Sequence, residues 1–125
     1  MRTFLLLFGL SLGLRLGVLL LIPRDLMPPN PDWETGAVSI SLATAGEFAD
    51  PYLIPTGPTA HMPPIHVAMM SLVYRALGTG FVGGLVRWIL VMVAYSILWG
   101  LMPWMGRTLG VGWNAGILAG IAGAL

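Results

Sequence analysis

The sequence predicts an all-α, polytopic transmembrane protein with a long first outer loop that carries a short interfacial helix. Hydrophobic residues make up 57% of the chain and charged residues only 9%, against roughly 25% charged in a typical soluble domain. Several apolar runs approach the length of about 20 residues that crosses a hydrocarbon core. All five acids lie between Asp25 and Asp50. The polar chemistry is therefore concentrated in one loop of a membrane protein.

Charge and cysteine content exclude several classes of function. The net charge is +1, and the six basic residues are all arginines spread singly along the chain, so there is no basic stripe for nucleic acid. The absence of cysteine excludes disulfides, thiolate metal sites and a cysteine nucleophile. Any chemistry must come from carboxylates, histidine, arginine or tyrosine.

Residues 4–22 predict the first transmembrane helix, an apolar run interrupted only by Arg15. A cleaved signal peptide is the alternative, but its apolar region would be about 7–15 residues long and would precede a small-residue cleavage site. Pro23, Arg24 and Asp25 follow here instead. A charge inside a span costs about 2.5–3.5 kcal/mol on insertion scales. Arg15 is therefore expected either to reach the outer surface or to pair with a loop carboxylate or a phosphate.

Residues 23–64 form the outer loop, which contains every acid and most of the prolines. Within it, residues 33–45 predict a short helix, with Asp32 as N-cap and Gly46 just past the end. Val38 lies on the apolar face of this helix, which would suit a helix lying against the membrane surface.

Three more apolar segments follow the loop. Residues 62–78 predict a second membrane helix, residues 81–104 a third, and residues 111–125 the start of a fourth. The last run is too short to cross, so we expect the sequence to be the amino-terminal fragment of a longer protein. The positive-inside rule then places Arg2, Arg75 and Arg87 in the cytoplasm and Arg24 and Arg107 outside, with the acidic loop outside.

Two glycine stripes at a spacing of four predict helix packing. Small residues at this spacing let helix backbones approach closely in lipid, and we assign them no catalytic role. The stripes are Gly9, Gly13 and Gly17 in the first helix and Gly112, Gly116 and Gly120 in the last.

Asp32 and Glu34 are the candidate site carboxylates. The helix dipole and capping alone would favour acids at this position. The functional interpretation is a catalytic base, which must be ionised and oriented, or a cation ligand. His61 and His66 are five residues apart, which is not a one-face spacing on a helix, and no cysteine supports them, so a metal site is not expected there.

Two segments carry a family resemblance. Residues 34–52 (ETGAVSISLATAGEFADPY) and 55–78 (PTGPTAHMPPIHVAMMSLVYRALG) resemble the first outer loop and second membrane helix of bacterial glycosyltransferases of the dolichyl-phosphate-mannose mannosyltransferase and aminoarabinose transferase type. These enzymes belong to the GT-C superfamily. The resemblance is densest over residues 34–78, and the GPTA…PP segment is its most specific part.

The resemblance implies an integral enzyme of the bacterial inner membrane that moves a sugar from a polyprenyl-phosphate carrier to an acceptor on the outer face, with inversion. The family's loop acid corresponds to Glu34 or to Asp32. Trp33 separates two acids that are adjacent in the family's usual pattern, which leaves the choice open. Glu34 is preferred because it keeps register with Phe48 and Pro51.

Arg24 and Arg15 are the candidate ligands of the donor's phosphate. No cofactor is indicated, a divalent cation stays open, and the sugar and acceptor are not identified. A transporter or channel subunit, with Arg15 and Arg87 marking a polar pathway, and a small structural membrane protein are the alternatives. The acidic loop favours the enzyme, because transporters place polar groups near the midplane. The fragment alone is expected to be inactive.

Overall fold

A computed structural model describes residues 1–22, 34–52 and 54–125. Within these ranges the chain is all-helical, as predicted, and an isolated bridge between Ala49 and Pro58 is the one β-type pairing. The chain divides into two compact units, Met1–Ile22 with Ile89–Leu125 and Pro23–Trp88. The helices are α1 (Arg2–Leu21), α2 (Glu34–Thr44), α3 (Pro64–Leu77), α4 (Phe81–Thr108) and α5 (Trp113–Ala124).

Helices α1 and α4 have the length and composition of membrane spans. Their best windows have mean hydropathies of 2.3 and 2.0, and 20 residues of helix rise about 30 Å, the thickness of a hydrocarbon core. Only 17% and 22% of these windows is buried within the protein. A core helix of a water-soluble protein would be mostly covered, so these two helices indicate association with a membrane.

Helix α3 is shorter than the span predicted over residues 62–78. It has 14 residues, a rise of about 21 Å, against about 30 Å of hydrocarbon. Pro63 is its extended N-cap and Pro64 its first residue, where the missing N–H costs nothing. Gly78 ends it with a φ of 79°. The helix exists as predicted, but its length does not indicate that it crosses a membrane.

Helix α4 continues beyond the predicted end at residue 104 and includes Pro103. Proline cannot donate to the carbonyl four residues earlier, which is that of Trp99. One missing hydrogen bond does not end a helix of 28 residues, and the last turn runs on to Thr108. The Trp99 carbonyl oxygen lies at the packing contact with α5, only 2.9 Å from where a Cβ on Gly120 would be.

The glycines of α5 make the close helix approach that the sequence predicts. A Cβ on Gly116 would lie 2.4 Å from the Met102 carbonyl oxygen and 2.5 Å from Pro103 Cα, and a Cβ on Gly120 would lie 2.8 Å from Leu7 Cδ1. Gly123, which the stripe did not include, meets the Trp99 ring in the same way. Helix α5 therefore packs closely because it lacks side chains on this face.

The glycine stripe of α1 makes no such approach among the described residues. A Cβ on Gly9, Gly13 or Gly17 would have no atom within 4 Å among the described residues, and Gly112 of the second stripe is equally open. Helix α1 instead buries Leu7, Ser11 and Leu19, which are four and eight residues apart and lie on a different face. Packing within this unit follows that face, on which Arg15 also lies, and leaves the glycines uncovered.

In the other unit, α2 packs against α3. Val38 and Ser39 are fully buried on α2, and Val67, Met70 and Tyr74 are buried on α3. The apolar face of α2 therefore contacts protein, whereas the sequence suggested the membrane surface. Arg75 supports this packing, since its guanidinium donates to the Leu42 carbonyl oxygen at 2.9 Å.

Candidate functional site

A carboxylate, an imidazole and a hydroxyl form a hydrogen-bonded chain in the unit Pro23–Trp88, here called the loop unit. His61 Nε2 lies 2.9 Å from Glu34 Oε2, and His61 Nδ1 lies 2.7 Å from Thr59 Oγ1. With the Nε2–H tautomer, His61 donates to the ionised carboxylate and accepts from the threonine hydroxyl. This arrangement holds one oxygen of Glu34 and leaves Oε1 able to accept a proton.

A tight turn positions the histidine end of this chain. Asp50 has a φ of 56°, and its Oδ1 accepts hydrogen bonds from the amides of Thr56 at 2.8 Å and Gly57 at 2.9 Å. The Asp50 amide donates to the Gly57 carbonyl, and the Thr59 amide donates to the Phe48 carbonyl, both at 3.0 Å. These bonds fix Thr59, and with it His61, relative to the chain that leaves α2.

The pair is open to solvent. The side chains of His61 and Glu34 are 51% and 39% exposed, and an exposed pair of this kind contributes about 0–1 kcal/mol to stability. Fold stability is therefore a weak reason for its presence. An oriented, accessible carboxylate beside an imidazole suits general acid–base chemistry, where the reacting group must come within hydrogen-bond reach.

Of the four residues predicted for the site, Glu34 and Arg15 are described. Arg15 lies in the other unit, where it donates to the side chain and carbonyl of Ser11 and to the carbonyls of Gly123 at 3.2 Å and Ala124 at 3.4 Å. Its guanidinium also lies 6.0 Å from the centre of the Tyr95 ring. These contacts give Arg15 a packing role in α1, and its predicted binding of a donor phosphate stays a prediction. Asp32 and Arg24 lie outside the described residues.

Sequence reasoning missed His61 and Thr59 as members of this chain. The sequence pattern indicates His61 only as a possible metal ligand and Thr59 only as part of the GPTA turn. Among residues 1–22, 34–52 and 54–125, no three His, Cys, Asp or Glu side chains lie close enough to hold a metal ion. The available signal was a hydroxyl two residues before a histidine in a proline-rich turn, which is too common to identify a site.

The loop unit also contains a buried arginine. Arg87, in the second turn of α4, is 8% exposed, and its Nε has no hydrogen-bond partner among the described residues. The described acids are engaged or exposed: Glu34 contacts His61, Asp50 accepts backbone amides, and Glu47 lies at the surface. The sequence indicated Arg87 as a cation near the start of a span and, in the transporter alternative, as a marker of a polar pathway.

A cavity of about 300 Å³ lies in the other unit. Its wall is apolar and aromatic, and none of the predicted site residues lines it. The lining residues are Met1, Phe4, Gly100, Leu101, Pro103, Trp104 and Trp113.

Comparison of the chain with models of known protein families, with curated proteins and with solved structures finds no match.

Proposed function

We propose that the protein is a membrane glycosyltransferase that moves a sugar from a polyprenyl-phosphate donor to an acceptor, with inversion at the anomeric carbon. The observation that carries the proposal is the Glu34 carboxylate, held at 2.9 Å by His61 in the first turn of α2 and accessible to solvent. The resemblance of residues 34–78 to the loop of GT-C enzymes supports the same residue as the base.

In the proposed reaction, Glu34 takes the proton from an acceptor hydroxyl as its oxygen attacks the anomeric carbon. The new bond joins that oxygen to the anomeric carbon, and the bond from this carbon to the phosphate oxygen breaks. The electron pair leaves on the polyprenyl phosphate, and the proton passes from Glu34 to water. His61 orients the carboxylate through the Nε2–H hydrogen bond.

The position of the loop suits a lipid-linked donor. Helices α1 and α4, the two candidate spans, precede and follow the segment that contains Glu34 and His61. A polyprenyl phosphate carries its reactive carbon at the membrane surface, so its base is needed beside a span and not within one. The proposal also places the protein in the bacterial inner membrane, which the chain crosses several times, with the loop on the outer face.

The transporter alternative receives less support. It uses Arg15 and Arg87 as markers of a polar pathway. The Arg15 guanidinium is occupied by Ser11 and by carbonyls of α5, and the Arg87 Nε, unpaired among the described residues, is inaccessible to water. A pathway arginine would need free donors facing water or substrate.

The test measures transfer of a radiolabelled sugar from a polyprenyl-phosphate donor in membranes that contain the full-length protein. We expect Glu34→Gln to lower the rate by about 10²–10⁴-fold, the usual contribution of a general base. His61→Gln should lower it less, because the base remains. Glu47→Gln, the same change at an exposed acid of the same loop, is the matched control and should leave transfer unchanged.

Two results would change the assignment. If Asp32→Asn abolishes transfer while Glu34→Gln does not, the working carboxylate is Asp32. If the wild-type protein transfers no sugar from any polyprenyl-phosphate donor while it is folded and inserted, the glycosyltransferase proposal fails and the transporter becomes the better hypothesis.

A further inference from the structure

Arg87 is a largely buried arginine whose Nε has no hydrogen-bond partner among the described residues. Its residue is 8% exposed and its Nε is both inaccessible and unpaired. Removing a charge from water costs free energy unless a counter-charge or hydrogen bonds replace the water. A fold that keeps such a group therefore points to a ligand that supplies the missing acceptor.

Arg87 lies where α3 and α4 pack closely together. Gly83, one turn earlier on the same face of α4, is buried, and a Cβ there would lie 1.9 Å from the Gly78 carbonyl oxygen and 3.2 Å from Tyr74 Cδ1. The start of α4 therefore packs against the end of α3. Tyr74 and Ser71 on α3 are each 4% exposed, so this face of α3 contributes buried polar side chains.

The described charges of the same unit leave Arg87 as its unmatched cation. Arg75 donates to the Leu42 carbonyl. Glu34 contacts His61 and Asp50 accepts two backbone amides. Within residues 34–52 and 54–88, none of these contacts involves Arg87, and the remaining acid, Glu47, lies at the surface.

We infer that Arg87 binds the phosphate group of a lipid. A guanidinium presents a planar fork of donors that matches phosphate oxygens bidentately. The unit follows one candidate span and contains the first turns of the other, and lipid phosphates are concentrated at the end of a span. The phosphate belongs either to bulk phospholipid or to a polyprenyl phosphate, and the two sources share this chemistry.

The inference is separate from the proposed glycosyl transfer, because a phospholipid also carries the phosphate. Phosphate binding without sugar transfer would sink the proposed function and leave Arg87 assigned. Sugar transfer by a wild-type protein that responds to none of the phosphate probes would do the reverse.

The test compares thermal unfolding of the purified full-length protein in a maltoside detergent, which contains no phosphate. The probes are inorganic phosphate, a short-chain phosphatidylglycerol, and a polyprenyl monophosphate beside the matching polyprenol. Ligands that bind the folded state raise the unfolding temperature by mass action. We expect a rise of several degrees with polyprenyl monophosphate or phosphatidylglycerol, none with polyprenol, and a smaller rise or none with inorganic phosphate.

Arg87→Met and Arg75→Gln are the informative pair of variants. Arg87→Met should lose the phosphate-dependent rise and, without any phosphate, should unfold at or above the wild-type temperature, because an unpaired buried charge has been removed. Arg75→Gln should keep the rise, since Arg75 contacts a backbone carbonyl. Arg87→Lys, which retains the charge without the fork, should keep part of it.

Three outcomes would overturn the inference. A rise that persists in Arg87→Met places the phosphate elsewhere. Loss of several degrees by Arg87→Met in the absence of phosphate shows that Arg87 already has a partner within the protein. A wild-type protein that responds to none of the phosphate probes has no such site.

Discussion

Arg15 and Arg87 both lie in apolar helices, but they differ in burial and in hydrogen-bond partners. Arg15 is partly exposed and donates to Ser11 and to two carbonyls at the end of α5. Arg87 is more deeply buried and its Nε has no acceptor within the described part of the chain. The surroundings of an arginine in a hydrophobic segment therefore depend on the hydrogen-bond acceptors that tertiary packing brings to its guanidinium. The unit that contains α1 and α5 supplies acceptors to Arg15 from its own backbone. The described part of the loop unit supplies none to the Arg87 Nε, and we infer that a ligand does so.

The largest expected effect concerns which helices cross the membrane. The chain contains no cysteine, so single cysteines can be labelled with an impermeant maleimide without background. Suitable exposed positions are Glu47 after α2, Gly80 before α4 and Leu109 after α4. Because α3 is too short to span, we expect Glu47→Cys and Gly80→Cys to be labelled from the same side and Leu109→Cys only from the other side.

If α4 crosses the membrane, Gly80→Cys and Leu109→Cys cannot be labelled from the same side. Whether α3 crosses is therefore decided by comparing the sides from which residues 47 and 80 are labelled. Opposite sidedness of these two positions would establish that α3 crosses, as the sequence predicts, and would place Arg87 on the side away from Glu34. Labelling of all three from one side would contradict a crossing by α4.

The second effect compares the two glycine faces by the same substitution. Gly116→Ala places a Cβ 2.4 Å from the Met102 carbonyl oxygen, whereas Gly13→Ala meets nothing within 4 Å. We expect the first to lower the free energy of unfolding by about 3 kcal/mol, as overpacking does. The second should leave it unchanged or raise it by up to about 1 kcal/mol, because alanine favours helix.

Unfolding in mixed micelles, followed by tryptophan fluorescence, measures both variants. A loss of similar size in Gly13→Ala would show that the α1 stripe packs against a second molecule or another segment. Equal stability of Gly116→Ala and the wild type would contradict the close approach of α5 to α4.

The smallest expected effect is the change in the free energy of unfolding on replacing Arg15. Arg15→Met removes hydrogen bonds from a charged donor to Ser11 and to the end of α5, each type worth about 1.5–3 kcal/mol. We expect a net loss of about 2 kcal/mol in the free energy of unfolding, opposite in sign to the change at Arg87→Met without phosphate. The same micelle titration measures it, and a gain of stability in Arg15→Met would remove its packing role.

Hydropathy and turn residues predicted the helices well. The apolar runs predicted α1 and α4 within a few residues at most ends. Gly46 marked the end of α2, and the proline pair at 63–64 marked the start of α3. The predicted N-cap of α2, Asp32, lies outside the described residues. What the pattern could not give is which helices pack on protein. Val38 has the same apolar side chain whether it faces lipid or α3, and only the tertiary contact decides between them.

Orientation illustrates the same limit. The arginine count placed the loop outside on the premise that α3 crosses. If α3 does not cross, Arg24, Arg75 and Arg87 share the side of the loop, against Arg2 and Arg107 on the other side. The count then favours a cytoplasmic loop, so the sidedness of a few positions also tests the outer-face part of the proposed function.

The candidate site was half predictable. Glu34 could be selected because acids are rare in this chain and one stands in the first turn of a predicted helix. His61 could not be connected to it, because the contact joins residues 27 apart through a turn that depends on Asp50 and its positive φ. Arg87 could be noted as a charge, but its burial is a property of the packing around Gly83.

The contact between Arg15 and the end of α5 joins residues 108 and 109 apart in the chain, and this has a consequence for assembly during translation. A ribosome adding about 5–20 residues per second needs roughly 5–20 s to make the intervening chain. Until α5 emerges, Ser11 of the same helix is the one nearby acceptor for the Arg15 guanidinium among the described residues. The newly made first helix must therefore wait beside water, lipid headgroups or the insertion machinery before its charge is covered. The loop unit contains contacts between residues about 30 apart in the chain, so these contacts can form much earlier.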